Sequence, residues 1–150
     1  MGNMGNTSAA VQEQAADKTV IHFSNGIYGF EDVHDFVLLQ EDENHVIWLL
    51  QAADGPYPSL IVVDPTLLVP GYAPHLGAAE RRALGNPQAE ELCWLAVAVI
   101  RKKLEDTVVS LRSPIVINVK NRVGMQVILE DCDYPLRYRP FARDGGTAGC

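Results

Sequence analysis

Three things are scarce in this 150-residue chain, and each scarcity removes a class of function. Cysteine occurs only at Cys93, Cys132 and Cys150, widely spaced and with no C-x-x-C pair, so neither a zinc site nor a dithiol redox motif is indicated. That usage fits a reducing compartment. Long apolar runs are missing: no stretch approaches the ~20 residues of a membrane helix, and the first residues lack the charged start and apolar run of a secretion signal. The expectation is cytoplasmic residence. Positive charge is also short, with 12 Lys and Arg against 19 Asp and Glu, a net charge of −7. Binding to a nucleic-acid backbone needs a basic face. The acidic balance suits a basic protein partner, or serves solubility alone.

Catalytic patterns are equally thin. His22, His34, His45 and His75 form no helical pair and no metal-ligand spacing. There is no G-x-S-x-G elbow and no glycine-rich phosphate loop, and no helix pattern follows Gly26 and Gly29. Cys132 lies between Asp131 and Asp133, whose charges disfavour a thiolate nucleophile. The sequence therefore nominates no catalytic, metal or cofactor residues.

What is present is β-rich. Pro114 opens an apolar run that ends on Asn118, a polar turn follows at Lys120, Asn121 and Arg122, and Met125, Val127 and Leu129 then alternate with Gln126 and Ile128. Two such runs around a short turn predict an antiparallel hairpin. Further strands are expected over 19–23, 37–40, 45–51, 59–64, 92–101 and 107–111. The 92–101 run is apolar enough for a buried helix, but Val97, Val99 and Ile100 are β-branched and favour a strand. One short helix is expected over 75–84, stopped by Gly85. Trp48 is assigned to the core, and Phe30 to pinning the loop around Gly26 and Gly29. The length suits one domain, read as a flexible arm at 1–18, a β domain at 19–141 and a disordered tail at 142–150. Several short strands and one helix argue for a mainly β, antiparallel barrel-like or sandwich fold.

Candidate contact residues follow from the strand ends. Glu130, Asp131 and Asp133 read either as a solvated strand end that protects an edge or as an acidic lip that attracts a basic protein. Asp64 and Pro65 read as a strand terminator or as part of a contact surface. Asn118 interrupts an apolar strand, so it bonds either a local bulge or a partner's backbone.

The hairpin segments PIVIN (114–118) and QVILEDCDY (126–134) resemble the C-terminal signature of the flagellar assembly factor FliW family. FSNGIYGFEDVHDFVLL (23–39) is similar to the family's N-terminal block, with Tyr28 where proline is usual, and IVVDP (61–65) to its central strand end. The blocks occur in the family's order. The resemblance implies a compact β-barrel-like fold and a non-enzymatic binding protein of flagellum biogenesis. Such proteins bind flagellin in the cytoplasm, in a chaperone-like role. When flagellin is exported, the freed protein binds the RNA-binding regulator CsrA and relieves repression of flagellin mRNA translation. The resemblance, with surface chemistry, nominates Asp64, Pro65, Asn118, Glu130, Asp131, Asp133 and Tyr134 as partner-binding residues. It implies no direct nucleic-acid or membrane contact and a monomer when free. The alternative from another class is a small-ligand-binding or flavin-type β-barrel, which needs a deep pocket with convergent polar groups.

Overall fold

The structure, a computed structural model, describes residues 20–40, 46–130 and 134–142. The expected arm at 1–18, the acidic turn at 41–44, Asp131, Asp133 and residues 143–150 of the expected tail lie outside the described residues.

Eight strands are present among the described residues: β1 (Val20–Phe23), β2 (Asp35–Gln40), β3 (Ile47–Ala52), β4 (Ser59–Val63), β5 (Leu92–Val99), β6 (Val108–Val109), β7 (Ile115–Asn118) and β8 (Val123–Gln126). They run in the order β4-β3-β2-β1-β8-β7-β5-β6, and β4 also pairs with β5, which closes seven of them into a barrel. All pairings are antiparallel except β1 with β8, where His22 lies opposite Val123 and Phe23 opposite Gly124. The expected barrel is therefore present, and this one parallel junction makes it mixed. The junction needs close approach: a Cβ on Gly124 would lie 2.7 Å from the ring of Phe23, so glycine there lets the ring pack over the strand.

Two cores share the β5–β7 wall. Inside the barrel, Phe23, Phe36, Leu50, Val62, Leu95 and Ile115 pack together, all at 0% exposure except Leu95 at 3%. Outside it, Val63, Tyr72, Leu84, Ala96, Val116 and Leu129 form a second core. The crossover from β4 to β5 covers that outer face. It carries one α-helix, α1 (Ala78–Ala83), and 3₁₀ turns at Pro65–Leu67 and Ala89–Glu91. Side chains alternate across a strand, so Leu95 and Val97 enter the barrel while Trp94 and Ala96 enter the outer core. This double burial explains why β5 and β7 read as continuous apolar runs.

Several boundaries differ from expectation for local reasons. The helix begins at Ala78 rather than at 75 because Gly77 is its N-cap and the Glu80 carboxylate accepts the Gly77 N–H. Its stop is as expected, with Gly85 at φ +87°. The 107–111 strand shrinks to β6 because Ser110 bonds Ser113 and Leu111 N–H turns to the Pro135 carbonyl. Regular pairing in β8 ends at Gln126, yet Val127 and Leu129 still donate to the carbonyls of Pro114 and Arg112, so the extended course continues. Ile27, 2% exposed, pins the first loop, whereas Phe30 packs edge-on against the exposed Tyr57 at 5.7 Å. Trp48 is half-buried at the edge of the interior core.

Candidate functional site

The continuation of β8 past Gln126 borders an open groove. Val127 and Leu129 direct their N–H groups toward the 112–114 segment. Backbone groups of successive extended residues point to opposite sides, so those of Ile128 and Glu130 point the other way. On that side lies a groove of about 900 Å³ between segment 127–130 and the 73–77 loop, with Glu80 and Tyr134 at its margins. A smaller hollow of about 290 Å³ shares Glu80, Val127, Ile128 and Glu130 and extends to Gly26 and Tyr28. The two form one trough beside an extended backbone edge.

Its walls are fixed by named contacts. Tyr134 is held three ways: its ring lies 4.5 Å from that of Tyr72, its hydroxyl accepts from Ala73 N–H at 3.2 Å, and its carbonyl accepts from Arg112 Nε at 2.9 Å. Tyr72 is itself anchored by donating to the buried Leu111 carbonyl at 2.6 Å. At the other end Gln126 accepts from Tyr28 N–H at 3.0 Å and donates to the Ser113 carbonyl at 3.0 Å. Ile128 stands 49% exposed between buried Val127 and Leu129. Two carboxylates, Glu80 and Glu130, flank this apolar side chain. An extended backbone edge, an apolar knob and an acidic margin suit an extended segment of another protein.

The nominated residues separate into groups. Glu130 and Tyr134 both line the groove. Asp131 and Asp133, which stand between them in sequence, lie outside the described residues. Asp64 and Pro65 do not line it. Asp64 caps the turn at Pro65–Leu67, accepting from Thr66 N–H at 2.9 Å and Thr66 Oγ1 at 2.7 Å, and Pro65 is buried beneath. Asn118 is 1% exposed. Its amide donates to the Leu84 carbonyl at 2.7 Å, and its Oδ1 accepts from Lys120 and Asn121 N–H. Pro65 and Asn118 both have their side chains buried inside the fold. Sequence reasoning missed Glu80, Gln126 and Ile128. Ile128 carried a signal, because an isoleucine out of phase with a buried alternation must face outward.

The barrel mouth is a second hollow, about 280 Å³, lined by Ile21, Leu38, Trp48, Cys93, Ile117, Val119 and Arg122. It is smaller than most sites for drug-sized ligands, which run from about 300 Å³ upward. Beneath it the interior is filled, so a flavin-sized molecule finds no room inside. Burial, and then the charge of Asp64, push the Cys93 thiol above its usual pKa, which keeps it protonated and unreactive. Among the described residues no cluster of three or more His, Cys, Asp or Glu is arranged to hold a metal ion. No helix among them is long and apolar enough to cross a membrane.

With this geometry in hand, comparison with known proteins is specific. The model of the family described as "FliW protein" matches residues 5–140. The flagellar assembly factor FliW of Caldicellulosiruptor saccharolyticus is 32% identical over 128 residues, covering 85% of this chain and 84% of that relative. That of Thermotoga neapolitana is 37% identical over 127 residues, covering 83% and 85%. A crystal structure of the flagellar assembly factor FliW superposes with a TM-score of 0.78 at 28% identity, covering 85% of this chain and 89% of its own.

Proposed function

The chain belongs to the FliW family of flagellar assembly factors, and from that premise we propose that it is a cytoplasmic partner-switching protein. It binds flagellin. When flagellin has been exported, the freed monomer binds CsrA and relieves repression of flagellin mRNA translation. The role is one of binding, with no reaction catalysed and no direct contact with nucleic acid or membrane. Family membership carries this reading. The groove beside segment 127–130 supports it with a surface on which a partner strand can pair. Glu130 supplies negative charge beside it, and Asp131 and Asp133 follow it closely in sequence. An acidic protein docked next to an RNA-binding surface repels phosphates without filling the RNA site.

The test is titration of the purified chain with the same organism's flagellin and CsrA, separately and in competition. Both should bind, and flagellin should displace CsrA. Ile128→Lys combined with Glu130→Lys should weaken flagellin binding by about tenfold or more, near 1.4 kcal/mol, with the circular dichroism spectrum unchanged. Unchanged affinity would remove the groove from the proposal. Binding of the unaltered chain to neither folded partner would remove the function. Neutralising Glu130, Asp131 and Asp133 together should reduce displacement of RNA from CsrA.

A further inference from the structure

At the end of the barrel away from the mouth, the surface changes sign. Arg101, Lys102 and Lys103 follow β5, and Arg137 and Arg139 lie on the closing segment. Pairing of Val109 with Tyr138, through backbone bonds of 2.7 and 2.9 Å, lays that segment beside β6. Arg139 then donates to the Glu105 carbonyl at 3.0 Å and to the Asp106 carboxylate at 3.2 Å. A hollow of about 360 Å³ results, lined by Arg101, Arg137, Arg139 and Asp106. Among the described residues these segments carry five cations and two carboxylates, Glu105 and Asp106, a surplus of three positive charges on a chain of net −7. Asp106 is already engaged by Arg139. The guanidinium groups of Arg101 and Arg137 have no side-chain partner among the described residues.

The same two segments are unusually apolar for a charged surface. Val99, Ile100, Leu104, Leu136 and Phe141 are each between 45% and 56% exposed. They make up half of the ten large hydrophobic residues exposed among the described residues, so the concentration is local. Apolar side chains scattered singly need no explanation, but five gathered on two adjoining segments among like charges mark a contact surface.

We propose that segments 99–106 and 136–141 form a second docking surface, separate from the groove, whose occupant is an acidic protein segment carrying apolar side chains. Charge complementarity selects the occupant. Three arginines around one hollow offer forked donors to carboxylates, and the interleaved aliphatic side chains offer it an apolar face. A long polyanion such as RNA, or an anionic bilayer, would meet the net negative field of the rest of the chain as soon as it extended past this end. A short acidic segment touches only the basic end. This surface does not depend on the proposed partners of the groove.

The experiment uses the full chain, labelled with nitrogen-15, titrated with a short synthetic peptide of repeating Glu-Glu-Leu. Expected are saturable amide shifts confined to 99–106 and 136–141, weakening as salt is raised. Arg101→Glu with Arg137→Glu should cut affinity by about tenfold or more, and Leu104→Ser with Leu136→Ser by several-fold. Both pairs are exposed, so an unchanged spectrum elsewhere should verify folding. Ile128→Lys should have no effect on the peptide. Absence of saturable shifts would overturn the proposal. So would equal binding of polyglutamate with the leucine variants unchanged, since charge alone would then suffice. Retention on phosphatidylglycerol vesicles or on a single-stranded RNA, in place of the peptide, would overturn it in favour of that partner.

Discussion

Asn118 illustrates how a polar residue in an apolar strand can find its partners within the chain. The sequence PIVIN shows that Asn118 interrupts a buried run, which leaves its partner open. The structure supplies three partners, all within the chain. Asn118→Ala leaves the buried Leu84 carbonyl without a donor, so it should cost about 1–3 kcal/mol in urea denaturation. Asn118→Asp keeps the acceptor but turns a carboxylate toward that carbonyl, and should cost more at neutral pH. Cys93 offers a second test at this scale. Its folded pKa is raised, first by burial and then by Asp64. The folded state thus holds its proton where the unfolded state has lost it. The resulting stability is full below the unfolded thiol value, roughly 8.5, and declines as pH rises through it toward the folded value. Site-resolved alkylation near that pH should be slower at Cys93 in the folded protein than after denaturation. Asp64→Asn retains an acceptor for Thr66 but removes the charge, so it should speed that alkylation.

Elements were legible where their own residues define them. The 115–126 hairpin announces itself by turn chemistry and alternation, and β5 by β-branched residues in a run too apolar to assign by period alone. Boundaries were lost where distant groups decide them: β6 is cut short because Leu111 N–H finds Pro135, and α1 starts late because Glu80 reaches back to Gly77. The parallel junction of β1 with β8 joins segments a hundred residues apart, and nothing in either segment specifies that neighbour. For the same reason the candidate groove was only half visible. Glu130 and Tyr134 sit in a recognisable motif, whereas Glu80 arrives from the crossover. The junction can be tested through its smallest residue. Gly124→Ala would drive a methyl into the ring of Phe23, itself 0% exposed and packed edge-on to Phe36 at 5.3 Å. Overpacking of this kind costs about 1–3 kcal/mol, to be read as a lowered denaturation midpoint with an unchanged m-value.

For the molecule as a whole, charge and burial are distributed unevenly, and the composition conceals both. A net charge of −7 predicts an acidic surface, yet one end of the barrel carries the opposite sign. The apolar content is likewise divided, chiefly between two cores, with a small third cluster at Val37 and Leu39. β5 and β7 therefore have no idle face, and the strands form a party wall: neither room can be emptied while the other stands. Cooperativity follows from that plan. Peeling the 64–91 crossover away exposes Ala96 and Val116, while opening the barrel exposes Leu95 and Ile115 on the same strands. Amide hydrogen exchange should report it. The protons of β5 and β7 should exchange only through global unfolding, with a urea dependence matching the equilibrium m-value, and without a separate subglobal opening of either layer.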